Sequence, residues 1–399
     1  MTALPLPPDR ERPLVLLLAS IQFCHIVDFM VLMPLGPQLM RLLLITPAQF
    51  GLLVSAYTLA AGLTGFAFSF FADRFDRRPL LLGLFAGFLV ATLACGLATG
   101  FGTLLAARLL AGAFGGILGA NVIACLGDTI PEERRGAATG RVMAAFSVAA
   151  IAGVPLGLFL AVHFSWRAAF LMVGAAGVPL GLAAMRILPS IPARHSGALD
   201  MSGTLRQVFG VANHRWAFAL IGALMLAGFS VIPFISPFMV RNVGLGEADL
   251  PYIYLAGGLA TLISAPLIGR QADLHGKAKT ARWVAALSVV PIFLLTHLPR
   301  LPLPWVLVVS TLFMVFVSGR LIPAMALVTA ASAPALRGRF LTMNAALQQL
   351  SASAAAFLPT LVLAEGSSGQ LMHYDIVGYG AIAMTLVSIW LAGKIEVRS

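Results

Sequence analysis

The chain has 399 residues, of which 59% are hydrophobic and only 10% are charged, and its mean hydropathy is +0.94. A soluble domain has roughly 45–50% apolar and about 25% charged residues, so the composition excludes a soluble globular protein. A net charge of +11 would favour nucleic-acid binding in a soluble chain, but basic cytoplasmic loops explain it in a membrane protein. We therefore expect a lipid bilayer, and no nucleic acid, as partner. The three cysteines lie in apolar stretches without metal-ligand spacing, so we expect no metal site.

Apolar runs long enough to cross a membrane recur along the chain. A crossing helix needs about 20 mostly apolar residues. In lipid the backbone must satisfy its own hydrogen bonds, so these runs predict helices. The predicted spans are 14–36, 48–71, 79–99, 103–127, 137–162, 168–188, 214–240, 251–270, 281–298, 303–329, 338–363 and 374–393. The sequence thus predicts an all-α membrane protein with twelve transmembrane helices.

The positions of arginine and lysine predict the orientation, because cytoplasmic loops of membrane proteins are enriched in both. If the amino terminus is cytoplasmic, most of the 26 basic residues fall in cytoplasmic segments. The opposite side then carries only Arg41, Arg167, Arg241 and Arg300, while Arg108 and Arg320 lie inside spans. We expect a multi-pass protein of the cell inner membrane with both termini in the cytoplasm.

The longest polar interruption, Pro189 to Arg215, lies between the sixth and seventh spans. It predicts a cytoplasmic linker over 189–213 that joins an N-terminal half, 1–188, to a C-terminal half, 214–399. At a constant offset of 200 the halves match at Phe29 and Phe229, Pro37 and Pro237, Arg41 and Arg241, Asp73 and Asp273, and Arg77 and Lys277. Two similarly oriented halves predict a parallel repeat with a cavity between them, an arrangement that suits alternating access.

Two loops of the chain contain the same motif. Residues 69–78 read SFFADRFDRR, and residues 269–277 read GRQADLHGK. Both resemble the signature loop G-x-x-x-D-R-x-G-R-R/K of the major facilitator superfamily, although Ser69 and Asp76 stand where the first loop usually has glycine. With the twelve spans and the repeat, the resemblance covers essentially the whole chain. It implies the major facilitator fold, with two pseudo-symmetric six-helix halves.

The resemblance also implies gating roles for the charged residues of these loops. In that family the loop aspartate pairs with the start of helix eleven, and the later arginine pairs with an acid at the end of helix four. Asp73 would then accept hydrogen bonds near Gly338 and Arg339, where the helix dipole favours an anion. The alternative is a solvated charge cluster that only sets topology. The candidate gating residues are Asp73, Arg74, Arg77, Arg78, Asp128, Gly269, Asp273, Gly276, Lys277, Arg337 and Arg339.

Two further features resemble one branch of the superfamily. Arg108, in the pattern L-x-x-x-R-x-x-x-G, resembles a helix-four motif that contains a buried arginine. In the fifth span, Gly153, Pro155 and Gly157 resemble a degraded form of the glycine-proline motif that is typical of antiporters. Together these features look most like the twelve-span drug and sugar efflux branch, whose members are drug:proton antiporters.

Asp28 and Arg108 are charged residues inside predicted spans. At ~1.5 Å per residue, each is expected roughly 8–9 Å below the outer surface, on helices that are neighbours in the resembled fold. A charge inside the membrane usually faces a cavity or a partner, so we predict a buried Asp28–Arg108 pair. His25, three residues before Asp28 on the same helical face, titrates near neutral pH, and the three residues together predict proton coupling. A permanent structural pair beside a core histidine is the alternative.

Arg320 is expected near the membrane midplane in the tenth span. No acid lies near it at membrane depth in the second half, so Arg320 is a candidate for binding an anionic or polar substrate group. The alternative is an arginine that bonds helix carbonyls near Ser318 and Gly319. Further candidates for the substrate cavity, each equally explained by bonds between helices, are Tyr57, Asn121, Asn344, Gln348 and Gln349.

These observations predict a transporter and not an enzyme, because the chain has no P-loop, G-x-S-x-G or H-E-x-x-H motif. We expect a monomeric secondary transporter without cofactor that uses the proton gradient as its energy source. The favoured prediction is a proton-coupled antiporter that exports a small organic compound (a drug, sugar or organic acid) by alternating access. A proton-coupled importer or uniporter of a small polar metabolite is the alternative.

Overall fold

The computed structural model describes residues 8–70, 74–190, 192 and 201–397. In chain order its α-helices are α1 (Pro8–Val31), α2 (Gly36–Leu42), α3 (Pro47–Ser69), α4 (Arg77–Gly96), α5 (Phe101–Thr129), α6 (Glu132–Val148), α7 (Val154–His163), α8 (Trp166–Ile187), α9 (Met201–Gly210), α10 (Ala212–Phe229), α11 (Ile235–Phe238), α12 (Leu250–His275), α13 (Lys277–Thr296), α14 (Leu303–Gly319), α15 (Leu321–Ala330), α16 (Pro334–Phe357) and α17 (Tyr374–Ala392). A short antiparallel hairpin, β1 (Ala364–Glu365) and β2 (Leu371–Met372), precedes α17.

Eleven helical segments of the described chain are long and apolar enough to cross a membrane. The eleventh predicted span corresponds to α16, which is not among them, because polar residues such as Asn344 and Gln348 lower its hydropathy. With 24 residues, α16 is still about 36 Å long at ~1.5 Å per residue, which exceeds the roughly 30 Å of a hydrocarbon core. The predicted all-α class with twelve membrane-spanning segments is therefore confirmed.

The chain divides into two compact units. The first contains Met1–Leu32 and Ala56–Leu199, and the second contains Met33–Ser55 and Asp200–Ser399. The predicted halves differ from these units at residues 33–55, which group with the second unit. Part of the predicted linker, residues 191 and 193–200, lies outside the described residues.

The core of the first unit is a continuous apolar cluster. It includes Leu18 of α1, Phe88 of α4, Val122 of α5 and Val142 of α6, all of them fully buried. Helix α1 packs against α5, α6, α7 and α8, and most residues in its middle are buried or half-buried. This position explains how a charged residue such as Asp28 can lie in α1 at membrane depth, because polar residues inside membranes face the interior of a bundle.

Several predicted spans are interrupted where the sequence disfavours a regular helix. The first span ends at Val31, and a turn that contains Pro34 leads into α2. In the fifth span a π-helical turn, Ala149–Gly153, precedes Pro155. Proline lacks an N–H and its ring clashes with the carbonyl four residues earlier, and a π-helical turn accommodates that clash. The tenth span is broken at Arg320, between α14 and α15.

The second unit repeats one helix of the first at the predicted offset. Helix α4 begins at Arg77 and ends at Gly96, and α13 begins at Lys277 and ends at Thr296. Both helices thus start at the second basic position of the loop motif. The match shows that the repeat in the sequence marks a repeated structural element.

Candidate functional site

The centre of the first unit contains a buried ion pair. Asp28 lies in the last turns of α1 and Arg108 lies in the second turn of α5, and both residues are 0% exposed. Nη1 of Arg108 donates to Oδ2 of Asp28 at 3.0 Å and to the backbone carbonyl of Asp28 at 3.2 Å. The structure thus contains the predicted contact, while its role in proton coupling stays a prediction.

An aromatic side chain covers the other side of the guanidinium group. The Cζ atom of Arg108 lies 4.4 Å from the centre of the Tyr57 ring, a distance at which a cation is attracted to the ring face. A glycine allows this arrangement, because a Cβ atom at Gly112 would overlap the backbone carbonyl oxygen of Tyr57. Helix α5 can therefore approach α3 closely and place Arg108 beside the tyrosine ring.

Next to the ion pair lies a group of buried polar side chains without hydrogen-bond partners in the described chain. Both ring nitrogens of His25, the hydroxyl of Tyr57 and Oε1 of Gln22 belong to it, and both amide atoms of Asn121, which lies roughly 20 Å from Arg108 along α5, also lack partners. The rings of His25 and Tyr57 lie 6.3 Å apart. An unsatisfied buried polar group costs roughly 1–3 kcal/mol, so such a concentration is expected where a ligand or water is bound.

The glycine-proline motif of the fifth span supports α1 from the side. A Cβ atom at Gly153 would overlap Cγ2 of Val27, and one at Gly157 would lie 2.7 Å from Cγ2 of Val31. The π-helical turn before Pro155 therefore packs directly on the stretch of α1 that carries Asp28. π-Helical turns occur frequently at functional sites.

Arg77 and Asp128, which the loop motif predicted as a pair, form a second ion pair in the first unit. Nε of Arg77 lies 3.1 Å from Oδ2 of Asp128, and both side chains are largely buried. Arg77 is the first residue of α4 and Asp128 is near the end of α5, so each charge is unfavourable to the dipole of its own helix. Their contact offsets both effects.

The remaining charged residues of the first loop are exposed, half-buried or outside the described chain. Asp73 lies outside the described residues, so its predicted contact with the start of α16 stays a prediction. Arg74 is exposed, and Arg78 donates to the backbone carbonyl of Met185 at 2.5 Å. This bond ties the start of α4 to the end of α8.

The second loop is shorter than predicted. Gly269 and Asp273 lie within the last turns of α12, and Asp273 is exposed. Only Gly276 separates α12 from α13, which begins at Lys277, and it has a φ of 93°. No proline or glycine lies between the predicted end at residue 270 and Gly276, and glycine adopts positive φ without strain, so α12 continues beyond its predicted end.

The start of α16 carries the last two gating candidates. Nη2 of Arg337 donates to the carbonyl of Ser332 at 3.4 Å. Nη1 of Arg339 donates to Oε1 of Gln207 in α9 at 3.2 Å. Both arginines therefore bind neighbouring segments of the second unit.

The second unit has its own buried arginine. Arg320, 1% exposed, lies at the junction of α14 and α15. Its Nη1 donates to the hydroxyl of Ser288 at 3.1 Å and to that of Thr385 at 2.9 Å. The alternative in which Arg320 bonds carbonyls near Ser318 is not what the structure contains, because the two acceptors are hydroxyls of α13 and α17.

The other polar candidates of the second unit lie on α16. Asn344 is 1% exposed, and neither of its amide atoms has a hydrogen-bond partner in the described chain. Gln348 and Gln349 follow one turn later and are half-buried. Asn344 therefore shares with Asn121 the property that is expected of a ligand-binding side chain.

Comparison with known proteins gives the family. The family model described as Major Facilitator Superfamily matches residues 18–356, which is most of the chain. The chain belongs to the Major Facilitator Superfamily. Its members are transporters, and this chain is accordingly a membrane transporter with the fold that the loop motif implied.

Solved structures of other Major Facilitator Superfamily transporters have the same fold. A bacterial homologue of the human lysosomal transporter Spinster is 16% identical over 98% of this chain and 96% of its own, with a TM-score of 0.67. The human organic anion transporter MFSD10 (TETRAN) is 19% identical over 97% of this chain and 100% of its own, with a TM-score of 0.68. The nucleoside transporter NupG is 12% identical over 97% and 99%, with a TM-score of 0.73.

Sequence reasoning missed three polar residues close to the candidates. Ser288 and Thr385 bind Arg320, and Gln22 lies one helical turn before His25. Each is a polar residue with an apolar residue on either side inside a predicted span, which is the signal that could have identified it. A lone hydroxyl or amide at membrane depth usually bonds another helix, and here two of the three bond the buried arginine of the transporter.

Proposed function

We propose that the protein is a proton-coupled antiporter that exports a small organic compound by alternating access, with Asp28 as the proton-carrying group. The single observation that supports the proposal most strongly is the Asp28–Arg108 pair, in which a carboxylate and a guanidinium are both fully buried. A buried charge is costly unless it is paired, so the gain or loss of one proton at Asp28 changes the energy of the whole site.

Protonation of Asp28 would weaken the pair without releasing Arg108 completely. The backbone carbonyl of Asp28 and the ring of Tyr57 remain as neutral partners of the guanidinium group. The site then changes its net charge by one unit while α1 and α5 stay in contact. A conformational equilibrium in which water reaches Asp28 from only one side at a time would respond to this change, which is the requirement for coupling.

His25 offers a second proton-binding group. It lies one turn before Asp28 on α1, and its ring lies 5.9 Å from that of Phe88. Because both of its nitrogens lack a protein partner in the described chain, His25 is available to exchange a proton with Asp28 or with a bound compound. We propose Arg108 as the residue that adjusts the affinity of Asp28 for the proton.

The energy available to such a site is sufficient for export. One proton that enters across 100 mV contributes about 2.3 kcal/mol, and one pH unit adds about 1.4 kcal/mol. Together these could maintain a concentration ratio of several hundred for a neutral compound, since each 1.4 kcal/mol corresponds to a factor of about ten. We further propose an orientation with both termini in the cytoplasm of the inner membrane, and a monomeric state.

The test is transport by the purified protein in proteoliposomes under an imposed pH gradient. The probes are a panel of amphiphilic drugs, sugars and organic acids, followed by counterflow of each compound that is transported. We expect at least one compound to move in exchange for protons. In Asp28→Asn, gradient-driven transport should fall to background while counterflow persists, because exchange without a gradient does not require the proton.

Asp375→Asn is the matched control. Asp375 is an exposed carboxylate in the first turn of α17, so its loss should leave gradient-driven transport unchanged. Equal gradient-driven transport by wild type and Asp28→Asn would contradict the role of Asp28. Movement of the compound in the same direction as the proton would replace antiport with the importer alternative.

A further inference from the structure

The hydrogen bonds of Arg320 divide its guanidinium group into a used side and an unused side. Nη1 has two N–H groups, and it donates to two acceptors, Ser288 and Thr385. The Ser288 hydroxyl donates its own proton to the carbonyl of Ala285 at 2.7 Å, and the Thr385 hydroxyl donates to that of Ala381 at 2.8 Å. Both hydroxyls therefore act only as acceptors towards Arg320 and fix the orientation of its plane.

The unused side has the geometry of a carboxylate-binding site. Nε and Nη2 of Arg320 have no acceptor in the described chain. Their N–H groups form one edge of the planar group, and this edge binds the two oxygens of a carboxylate through parallel hydrogen bonds. No carboxylate of the described residues forms an ion pair with Arg320, in contrast to the salt bridge of Arg108 with Asp28.

A glycine of α10 lies beside this edge. A Cβ atom at Gly228 would lie 3.5 Å from Nη2 of Arg320. A larger residue at that position would cover the nitrogen. The absence of a side chain thus preserves room beside the edge once the helices around it separate.

A structural role alone does not account for an arginine in this position. An unpaired charge inside a protein costs several kcal/mol, and a buried donor without an acceptor adds to that cost. An anionic group of a ligand would supply both the missing charge and the missing acceptors. The arrangement is therefore that of a site whose negative partner comes from outside the chain.

We propose that the Nε–Nη2 edge of Arg320 is the subsite that binds the carboxylate of the transported compound, so that the substrates are organic acids. The proposal rests on the proposed transport function and specifies its substrate class. In this conformation the two nitrogens are buried, so the carboxylate gains access when the helices of the second unit move during the transport cycle. Ser288 and Thr385 are positioning residues, because they orient the arginine and leave its other edge unpaired.

Equilibrium binding to the full-length protein in detergent tests the proposal without any proton gradient. The probes are benzoate, phenylacetate and hexanoate, each compared with its uncharged carboxamide by thermal stabilisation of the protein. We expect each bound acid to have at least about tenfold higher affinity than its amide, because charge-assisted bidentate bonds are lost in the amide. Equal stabilisation by acid and amide, or by neither, would overturn the proposal.

Three variants assign the effect to Arg320. Arg320→Gln should reduce acid affinity about 10- to 100-fold and leave amide affinity unchanged. Arg320→Lys keeps the charge but loses the planar edge, so it should recover only part of that loss, whereas full recovery would contradict edge recognition. Arg300→Gln, which removes an exposed arginine before α14, should bind acids as wild type does.

The test separates this proposal from that of proton-coupled antiport. Asp28→Asn should keep its preference for acids, because binding in detergent requires no proton movement. If that preference is absent while coupled transport of a neutral compound persists, the carboxylate subsite is wrong and antiport stands. If the preference for acids is present while transport is independent of the pH gradient, the carboxylate subsite stands and proton-coupled antiport is wrong. If Arg320→Gln does not fold, the comparison of acid with amide on the wild-type protein still decides whether the protein prefers a carboxylate.

Discussion

The two units of this transporter each bury one arginine at membrane depth, and the two arginines have different kinds of partner. In the first unit Arg108 has a carboxylate partner, Asp28, and an aromatic ring beside it. In the second unit Arg320 has two hydroxyl partners and no carboxylate among the described residues. In the first arrangement the two charges neutralise each other, whereas the second carries an uncompensated positive charge.

This difference separates two tasks that a coupled transporter has to perform. A pair such as Asp28–Arg108 contains its own exchangeable proton, so it can respond to the proton gradient without a ligand. A lone arginine held by Ser288 and Thr385 has no proton to exchange under physiological conditions, but it can respond to an anion. The chemistry thus favours coupling in the first unit and substrate recognition in the second.

The largest effect that we expect is from Arg108→Met, which removes the cation of the Asp28–Arg108 pair. The change leaves the buried carboxylate of Asp28 without its cation, so the free energy of unfolding should fall by about 3–5 kcal/mol. In the double variant Asp28→Asn/Arg108→Met much of this loss should be recovered, because no charge is left unpaired. Thermal unfolding of the purified variants in detergent measures both. Additive losses in the double variant would mean that the two residues do not stabilise each other.

The sequence was sufficient to predict the fold and the first of these arginine sites. The apolar runs indicated the number of helices, and the offset of 200 between Arg77 and Lys277 in the sequence equals the offset between the starts of α4 and α13. The Asp28–Arg108 contact was predictable because an acid and a base at equal depth inside a bundle have few other partners. Each of these inferences depends on hydrophobicity and charge, which are properties of single residues.

The second arginine site was only partly predictable. Its burial followed from the position of Arg320 in a span, but the contacts with Ser288 and Thr385 depend on how α13 and α17 pack beside it. The break of the tenth span at Arg320 fits Pro323, which has no N–H for the carbonyl of Gly319 and whose ring clashes with it, but the predicted span did not take that proline into account. Likewise, α12 continued beyond its predicted end because the loop motif marks a family resemblance and not a helix terminus. Packing geometry of this kind is not encoded in local periodicity.

The next effect concerns one close helix contact in each unit. In the first unit a Cβ atom at Gly112 would overlap the backbone of Tyr57, and in the second unit a Cβ atom at Gly257 would overlap the side chain of Met314. Backbone cannot move aside, whereas a methionine side chain adapts. Gly112→Ala should therefore destabilise the protein by about 1–3 kcal/mol, and Gly257→Ala by less.

The measurement for both glycines is again thermal unfolding, with Gly127→Ala as the control on α5. Nothing lies within 4 Å of a Cβ atom at Gly127, so alanine there should be neutral or slightly stabilising, as it is within most helices. Equal destabilisation by Gly112→Ala and Gly257→Ala would show that the contact with the Tyr57 backbone is no more restrictive than the contact with the Met314 side chain.

The smallest effect is expected from Arg320→Met, which removes the buried arginine that has no carboxylate partner among the described residues. This change removes a charge that no described carboxylate neutralises, and it leaves Ser288 and Thr385 with their own bonds to Ala285 and Ala381 intact. Since replacement of a buried charge by an apolar side chain is often neutral or stabilising, the free energy of unfolding should change by no more than about 1 kcal/mol. Thermal unfolding without added acid checks this value, and a loss as large as that of Arg108→Met would mean that Arg320 supports the fold. A small loss of stability, together with a large loss of acid binding, would instead mean that the arginine is kept for its ligand.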